Sequence, residues 1–452
     1  MKINKFIFRG YDIRGKYPVD INEEVALIIG KSFGTYVKRL GKNTCIVGRD
    51  NRYSSLDLSN ALIKGILSTG VDVIDLGLVT TPMYYYAGIL LNNPTGIMVT
   101  ASHNPKDDNG FKIAFDERGN ARGKMIEEFR DFTLKMQFDE GNGKLAKYDI
   151  RQDYINLMLS SVKMGSRNLK VVLDLGNGTT SCIAKDIYYR FPIELEVLCG
   201  ESDSSFPFHH PDPSKEENLS MLKDRVLEMG ADIGLAFDGD GDRLGIVDEK
   251  GNYISADKYM IIIIRDIINK VDNKKFLYDV KCSKSLEDEI NKLGGEGVCY
   301  RTGNSYIKAK LLEDDIPFGG EYSGHIFFND KWPGFDSGIY AGLRLLEILS
   351  NTDKNLSDLL ENINKYFSTP EIVIEASDEK KFEIIESVKD YCINKKYDIS
   401  LIDGVRINFG DGWGLIRASN TGPNITLRFE FTSEEKLRNI SDEFLELIQN
   451  IM

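Results

Sequence analysis

Short apolar runs alternate with amphipathic stretches along the first three quarters of the chain. One pattern occurs three times: an apolar run, a polar loop, a stretch with helical spacing, and a second apolar run introduced by glycine. The copies begin at TCIVGRDNR, LKVVLDLGNG and KFLYDVKCS, and the predicted helices cover Ser54–Thr69, Thr179–Arg190 and Ser285–Leu293. Such alternation is typical of strands buried in parallel or mixed sheets. The pattern therefore predicts three similar α/β domains.

The pattern changes at about Thr369. TPEIVIEA, VRINFGDGWGLIRAS and NITLRFEFT read as strands, and residues 379–394 and 434–449 have helical spacing. These elements predict a separate, smaller α+β domain. We therefore expect an α/β protein with three similar mixed-sheet domains and a C-terminal α+β domain. The predicted domains are 1–148, 149–252, 253–366 and 367–452.

Length and charge narrow the classes of function. A chain of 452 residues is too long for one hydrophobic core, which agrees with several domains. The net charge of −13 argues against nucleic acid or an anionic membrane as a partner, so basic contacts to an anionic substrate must be local. Tyr259–Ile268 is apolar but short and is interrupted by Arg265, so it predicts a buried helix rather than a membrane span.

Six cysteines are scattered singly, without a C-x-x-C pair. This spacing favours reduced thiols over a disulfide framework or a zinc site. The first residues contain no apolar core of a signal peptide. Both features predict a cytoplasmic protein.

The sequence DGDGDR places Asp238, Asp240 and Asp242 on alternate residues between two predicted strands. At ~5 Å and an effective dielectric of about 20, each pair of like charges costs roughly 3 kcal/mol, which a divalent cation would offset. Mg²⁺ is the expected ion. An EF-hand would also use Glu249, but Arg243 occupies the position that requires glycine, and the flanks are strands. A solvated turn is the alternative without metal.

The sequence TASHNP follows the apolar run GIMVT and places Ser102 on a loop at a strand end. A free hydroxyl needs a base or a metal to become a good nucleophile. Phosphoryl transfer needs mainly neutralised charge and alignment, which the carboxylates with Arg243 and Lys112 would supply. The alternative is a turn rich in Ser and Asn, or a helix cap.

Three further motifs carry polar groups on glycine-containing loops. Gly320–His325 offers a carboxylate, a hydroxyl and an imidazole, which suit sugar hydroxyls, although a structural loop is equally compatible. Arg417–Asn424 combines a cation, hydroxyls and amides into a cradle for phosphate, or forms a hairpin turn. Phe8–Gly15 contains two arginines close together, which would add positive charge to a phosphate site. The alternative is a solvated basic turn.

In this order, TASHNP, DGDGDR, GEYSGH and RASNTGP resemble the α-D-phosphohexomutase superfamily, and specifically its bacterial phosphomannomutase/phosphoglucomutase branch. The resemblance extends over essentially the whole chain. It implies four domains around a central cleft, each of which contributes one motif.

The resemblance also implies roles for individual residues. The implied catalytic residues are Ser102, which carries phosphate, with Arg14, Lys112, Arg243 and His325. The implied ligands of one Mg²⁺ per chain are Asp238, Asp240, Asp242 and the phosphate on Ser102. The implied substrate-binding residues are Arg9, Tyr11, His103, Lys281, Asn304, Glu321, Ser323, Arg417, Ser419, Asn420 and Thr421. Asn304 departs from the family because relatives often have histidine there, so we expect it only to bind.

The implied reaction interconverts hexose 1-phosphate and hexose 6-phosphate, with mannose or glucose as the sugar. Phosphorylated Ser102 gives its phosphoryl group to C1 or C6, and the hexose 1,6-bisphosphate turns before it returns the other phosphate. The same bisphosphate is the expected activator. Hexose phosphates are the expected partners of a monomer or homodimer.

Three other functions compete with this one. A phosphoglucosamine mutase would share the motifs, but such relatives tend to have a Ser-Gly-Thr-Glu-Pro-like clamp where this chain has SNTGP. A Mg²⁺-dependent phosphatase would share the acidic loop and release inorganic phosphate. A Ca²⁺- or sugar-binding module would need neither a phosphoserine nor all four motifs.

Overall fold

The computed structural model of this chain describes residues 3–377, 379–419 and 422–452. The chain forms two compact units. The first contains the described residues up to Ala256 together with Ser323–Leu359. The second contains Asp257–Tyr322 and the described residues from Leu360 onwards. Each unit has its own buried core.

Twenty-one strands and thirteen α-helices lie in the part of the chain that the structure describes. The strands are β1 Ile13–Lys16, β2 Thr44–Arg49, β3 Asp72–Leu78, β4 Gly96–Val99, β5 Asp108–Ala114, β6 Leu145–Lys147, β7 Leu169–Asp174, β8 Ile193–Leu198, β9 Ile233–Phe237, β10 Leu244–Asp248, β11 Tyr253–Ile254, β12 Lys275–Asp279, β13 Glu296–Tyr300, β14 Phe318–Gly320, β15 Ile326–Phe328, β16 Phe367–Ser368, β17 Ile372–Glu375, β18 Asp398–Ser400, β19 Val405–Asn408, β20 Gly412–Ala418 and β21 Asn424–Phe431. The helices are α1 Glu23–Arg39, α2 Ser55–Leu67, α3 Thr81–Leu90, α4 Lys124–Thr133, α5 Arg151–Ser161, α6 Ala184–Tyr188, α7 Ser220–Met229, α8 Ala256–Ile267, α9 Lys284–Lys292, α10 Asn304–Glu313, α11 Gly338–Ser350, α12 Lys380–Asn394 and α13 Glu434–Ile451.

The first sheet has the strand order β1-β5-β4-β2-β3-β6. β2 is parallel to β3 and β4, whereas β5 is antiparallel to β4 and β1. The first predicted strand–helix–strand repeat is therefore confirmed as β2, α2 and β3. Lys112 in β5 pairs with Met98 in β4, four residues before Ser102. This register brings a lysine to the strand that leads into the serine loop.

The second sheet has the strand order β11-β10-β9-β7-β8, in which β7 is parallel to β8 and β9. β9 and β10 form an antiparallel hairpin whose loop contains the acidic motif. The predicted helix Thr179–Arg190 is wrong in extent. A 3-10 turn covers Thr179–Cys182, and α6 is short because Ile183 has non-helical angles of φ −147° and ψ −30°.

β15 and α11 complete the first unit and lie against the acidic loop. Arg243 and His325 form a β-bridge just before β15. Gly338, the first residue of α11, lies so close to that loop that an added Cβ would be 2.3 Å from the carbonyl oxygen of Arg243. Glycine is therefore required for this close approach.

The second unit contains two sheets. β12 is parallel to β13 and β14, so the third predicted repeat is confirmed as β12, α9 and β13. The predicted buried helix is α8, in which Tyr259 and Ile263 are fully buried. Within the described part of the chain, every helix is too short or too polar to cross a membrane.

The C-terminal sheet has the order β16-β21-β20-β19-β18, and β17 also pairs with β21. Its strand pairings are antiparallel. Helices α12 and α13 pack against the sheet, and Phe444 of α13 and Phe429 of β21 belong to the same apolar core. This matches the predicted α+β domain. Val280, directly after β12, joins Trp413 and Leu415 of β20 in a small apolar cluster. The sheet thus packs against the end of β12 within the same unit.

Candidate functional site

The hairpin loop between β9 and β10 gathers three buried carboxylates. Asp238, Asp240 and Asp242 are fully buried, and one oxygen atom from each lies within 4.8 Å of the others. Gly241 has φ +81°, a conformation that favours glycine, and Asp238 Oδ1 accepts hydrogen bonds from the N–H groups of Gly241 (3.0 Å) and Arg243 (3.1 Å). The curled backbone therefore aims alternate side chains at one point.

Lys112 is the cation nearest to these carboxylates. Its Nζ lies 2.8 Å from Asp240 Oδ2 and 2.6 Å from Asp242 Oδ2. Burial lowers the pKa of Lys112, but the charges of Asp240 and Asp242 outweigh it and raise that pKa well above its usual value. Burial and the two neighbouring carboxylates raise the pKa of Asp238 well above its usual value. The clustered carboxylates thus disfavour the charged form of Asp238 unless a further cation lies beside them.

The donor atoms of this loop fit a hard divalent cation. The three ligands offer only carboxylate oxygens, which Mg²⁺ prefers. Asp240 Oδ1 and Asp242 Oδ1 are buried and have no hydrogen-bond partner among the described residues. Buried polar atoms are normally satisfied, so an ion would supply the partner that Asp240 Oδ1 lacks, and it would add a ligand bond to Asp242 Oδ1, which has an ion-pair contact at 3.4 Å.

Two threonines that were not among the predicted site residues also contact the acidic loop. The hydroxyls of Thr81 and Thr100 donate to Asp240 Oδ2 at 2.6 and 3.1 Å. Their partner lies more than 130 positions away in the chain, so no local motif indicated this role. Together with Lys112 they fix the side chain of Asp240.

Ser102 lies next to these carboxylates. Its hydroxyl donates to Asp238 Oδ2 at 2.8 Å and lies 3.2 Å from Nδ1 of His103. The serine is buried and has φ +52°, which places its loop in a sparsely populated backbone conformation. Desolvation, with the charges of Arg243 and Arg14, lowers the pKa of His103 well below its usual value. A neutral imidazole therefore borders the hydroxyl.

Arg52 holds the serine loop in place. Its guanidinium donates to the backbone oxygens of Ser102 (2.8 Å), Asn104 (2.6 Å), Pro105 (2.6 Å) and Asp108 (3.0 Å). No motif indicated a role for this arginine, although it belongs to the apolar run and loop TCIVGRDNR. A fork of fixed N–H donors suits such a set of carbonyls better than an ammonium would.

Arg14 also contacts the serine loop. It donates to the carbonyl of Ala101 at 3.1 Å and to Oδ1 of Asn104 at 2.5 Å, while its Nε binds Asp12 at 2.7 Å. Burial lowers the pKa of Arg14, but Asp12 reverses this, and the net shift is upward. Arg9 and Tyr11 are half-buried in the same segment.

His325 lies next to the acidic loop. Arg243 Nε donates to His325 Nε2 at 3.0 Å, and Nδ1 lies 2.8 Å from Asp336 Oδ2 and 3.4 Å from Asp242 Oδ1. The carboxylate of Asp336, which the sequence did not indicate, thus orients the ring. Ser323, two residues before His325, is half-buried in the same unit.

The remaining predicted residues lie in the second unit. Glu321 is buried, and its Oε1 accepts a hydrogen bond from the N–H of Gly303 at 2.7 Å. That bond fixes the start of α10, where Asn304 is the first residue. Burial lowers the pKa of Lys281, but Glu371, 3.4 Å away, contributes to a net rise.

Arg417 and Ser419 end β20 and begin the predicted phosphate turn. Arg417 Nε donates to Asp403 Oδ2 at 2.9 Å, and Ser419 Oγ accepts from the N–H of Gly422 at 3.1 Å. Lys381, which sequence reasoning missed, donates to the carbonyl of Ser419 at 2.9 Å. The predicted ligands Asn420 and Thr421 lie outside the described residues.

The structure therefore gathers the predicted residues into two groups. The first unit brings together the serine, the acidic loop and their basic neighbours: Arg14, Ser102, His103, Lys112, Asp238, Asp240, Asp242, Arg243 and His325. The second unit contains Lys281, Asn304, Glu321, Arg417 and Ser419, and the charges of Arg417 and Glu321 act on Lys281.

Fold and site together define a four-domain α/β protein with a serine beside a carboxylate cluster. Each domain matches a phosphoglucomutase/phosphomannomutase domain family: α/β/α domain I over residues 5–139, α/β/α domain II over 152–251, α/β/α domain III over 255–366 and the C-terminal domain over 371–447. The chain belongs to the phosphoglucomutase/phosphomannomutase family, and the predicted resemblance is confirmed.

Relatives match nearly end to end. A phosphomannomutase/phosphoglucomutase of Pseudomonas putida is 41% identical over 443 residues, which cover 97% of this chain and 94% of the relative. A phosphoglucomutase of Neisseria gonorrhoeae is 37% identical over 452 residues, which cover 99% of this chain and 98% of the relative. The crystal structure of a phosphoglucomutase/phosphomannomutase family protein from Burkholderia thailandensis superimposes with a TM-score of 0.90 at 36% identity. The match covers 99% of this chain and 98% of that protein.

Proposed function

We propose that this chain interconverts hexose 1-phosphates and hexose 6-phosphates, of both mannose and glucose, through a phosphorylated Ser102. The observation that carries this proposal is the 2.8 Å hydrogen bond from Ser102 Oγ to Asp238 within a buried carboxylate cluster. The family membership and the names of the relatives agree with a mutase. Six free thiols suit the reducing cytoplasm, where we place the activity.

Asp238, Asp240 and Asp242 would hold one Mg²⁺ per chain. The Oδ1 atoms of Asp240 and Asp242, which accept no hydrogen bond from the residues that the structure describes, support this assignment. When bound, Mg²⁺ neutralises charge on the phosphoryl oxygens. The residues around it neutralise the rest, because Lys112, Arg243 and Arg14 surround the serine and the acidic loop with positive charge.

In the reaction, phosphorylated Ser102 gives its phosphoryl group to the free C1 or C6 oxygen of the sugar. The hydroxyl that attacks must lose a proton, for which His325 is the candidate acceptor. Its Nδ1 is held by Asp336 and its Nε2 faces Arg243, so the ring has a defined orientation. Aligning the reacting groups in this way supplies much of the acceleration in phosphoryl transfer.

The second phosphate of the bisphosphate needs a site that binds without reacting. Arg417, Ser419, Asn420 and Thr421 are the proposed ligands of this passive phosphate. Glu321 and Ser323 would read the sugar hydroxyls, with Lys281 and Asn304 beside them, and Arg9, Tyr11 and His103 would contact the reacting end. The bisphosphate turns between the two half-reactions, so each phosphate visits both sites.

A discontinuous assay tests this proposal. Mannose 1-phosphate, glucose 1-phosphate and glucosamine 1-phosphate are each incubated with the parent, Mg²⁺ and hexose 1,6-bisphosphate, and the 6-phosphates are measured. We expect turnover of the mannose and glucose substrates, and loss of several orders of magnitude in Ser102→Ala. Ser68→Ala, which removes a hydroxyl at the end of α2, is the matched control and should retain activity. Preference for the glucosamine substrate, or full activity in Ser102→Ala, would contradict the proposal.

A further inference from the structure

A second cluster of metal-ligating side chains lies in the first unit, apart from the residues proposed to react. Asp174 is the last residue of β7, Cys199 directly follows β8, and His209 lies ten residues further on. His209 Nε2 is 2.9 Å from Asp174 Oδ2 and 3.7 Å from Cys199 Sγ. One ligand atom from each of the three residues lies within 4.8 Å of the others. Parallel pairing of β7 with β8 is what brings the first two together.

One hydrogen bond to the backbone and one from the backbone orient two of these side chains. His209 Nδ1 lies 3.0 Å from the carbonyl oxygen of His210, so Nδ1 donates and leaves Nε2 to face the cluster. Asp174 Oδ1 accepts from the N–H of Gly176 at 2.9 Å, which leaves Oδ2 to face the same point. Ligands of metal sites are typically fixed by outer hydrogen bonds of this kind.

We infer that Asp174, Cys199 and His209 bind a divalent cation of the zinc class, with a fourth position open to water. A thiolate, an imidazole and a carboxylate are the ligands that such borderline ions take, whereas Mg²⁺ prefers oxygen. This site therefore selects a different metal from the acidic loop, whose three ligands offer only oxygen. Binding of the metal ion releases two protons, the one between His209 and Asp174 and the thiol proton of Cys199.

The three residues differ in exposure. The partly exposed ones leave a path for an ion to enter, and the buried one is shielded from water. The Asp174 side chain is fully buried, whereas 13% of the His209 side chain is exposed and Cys199 is half-buried. The ligands join the ends of two adjacent strands to the segment that follows β8. The Asn51 side chain donates to Ser202 Oγ (3.0 Å) in that segment, so a bound ion would fasten a loop that already contacts the first domain.

Cobalt(II) is the probe for this site, because a thiolate ligand gives cobalt a strong charge-transfer absorption that oxygen ligands do not. The reduced full-length protein is titrated with Co²⁺ in excess Mg²⁺, which keeps the acidic loop filled. We expect the thiolate band to saturate at one Co²⁺ per chain and to disappear when Zn²⁺ is added. Zn²⁺ should also raise the melting temperature of the parent.

Variants separate this site from other thiols. Cys199→Ser should abolish the band, and His209→Gln should weaken Co²⁺ binding by at least ~10-fold. Cys182→Ser, which alters another half-buried thiol of the same domain, is the control and should keep the band. Absence of the band in the parent, or its persistence in Cys199→Ser, would overturn the inference and leave the three residues as a hydrogen-bonded cluster only.

Discussion

At the scale of single residues, Arg52 connects the serine loop to the first sheet. Its four hydrogen bonds to backbone oxygens hold the segment from Ser102 to Asp108 against one buried guanidinium. Arg52 also lies 3.3 Å from Asp50, and both side chains are almost fully buried. A buried arginine with this set of partners cannot be replaced by lysine without loss, because lysine lacks the planar fork.

We predict that Arg52→Lys lowers the free energy of unfolding by about 3 kcal/mol, the scale expected when one or two charge-assisted hydrogen bonds of a buried guanidinium are lost. Activity should fall as well, because the serine loop loses its support. Urea denaturation and the mutase assay measure both effects. Arg49→Lys is the control, since Arg49 makes a single hydrogen bond to a carbonyl in the same region. Equal effects in the two variants would argue against a special role for Arg52.

Glu430 gives a pH-dependent prediction. Its Oε1 accepts from Lys284 N–H (2.7 Å) and from Trp413 Nε1 (2.9 Å), and burial raises the pKa of Glu430 above its usual value. Because the folded state disfavours the charged form, the parent loses stability as the pH rises above about 4.3, where the unfolded chain ionises. Glutamine keeps the acceptor without the charge. Glu430→Gln should therefore unfold at higher urea concentration than the parent at pH 7.

The advantage of Glu430→Gln should shrink as the pH falls towards 4, where the parent glutamate is protonated in both states. Denaturation at both pH values separates this effect from a change in packing. A variant that is less stable than the parent at pH 7 would show that the charge itself stabilises the joint between α9 and β21.

At the scale of elements, the site depends on two loops that touch through a glycine. Gly239 in the β9–β10 loop lies against the serine loop, and a Cβ added there would be 2.5 Å from the backbone oxygen of Ser102. That distance is shorter than any normal contact. The alternation of aspartate with glycine in the acidic motif therefore also allows the carboxylates to approach the serine.

We predict that Gly239→Ala lowers kcat/KM by about 100-fold, the scale expected when reacting groups are displaced by about 1 Å. The fold should survive, as measured by circular dichroism. Gly88→Ala, in α3, is the control because its nearest contact is 3.3 Å and alanine favours helices. Unchanged kinetics in Gly239→Ala would show that the two loops need not touch.

Local sequence patterns predicted the elements that continuous apolar runs define. β7, β8 and the acidic hairpin follow from their own residues, and so does the position of Ser102 at a strand end. The helix expected over 179–190 was wrong in extent, because Ile183 adopts non-helical backbone angles that helical spacing in the sequence does not reveal. Short helices next to a sheet depend on tertiary contacts more than on pattern.

Partners that are distant in sequence were not predictable in this way. Arg52 contacts Ser102 across 50 positions, and Thr81 contacts Asp240 across 159 positions. Asp336 lies 11 positions from His325, in a segment that carries no motif. Asp403, which binds Arg417, is likewise an isolated aspartate in the sequence. The motifs indicated which residues react, whereas the residues that position them emerged only from the folded chain.

At the scale of the whole molecule, the acidic loop couples stability to metal. Three buried carboxylates repel one another in the absence of a metal ion, and Lys112 and Arg243 offset part of that repulsion. An ion that binds only the folded state stabilises it by about 2.7 kcal/mol at a concentration 100 times its dissociation constant. The melting temperature should therefore depend on Mg²⁺.

We predict that Mg²⁺ raises the melting temperature of the parent and that chelation reverses the rise. Asp238→Asn should not respond to Mg²⁺, and without metal it should melt no lower than the parent, because a repulsive charge is gone. Asp116→Asn, which alters a carboxylate paired with Arg118, is the control and should respond as the parent does. A Mg²⁺ response in Asp238→Asn would place the ion elsewhere.

The most direct test of the account follows one phosphoryl group from the protein to the sugar. The protein is labelled with isotopic phosphate, the label is located by peptide mass spectrometry, and unlabelled glucose 1-phosphate is added. We predict that the label is on Ser102 and appears first in hexose 1,6-bisphosphate, then in glucose 6-phosphate. Label that goes directly to inorganic phosphate, or that stays on the protein during turnover, would contradict transfer through Ser102.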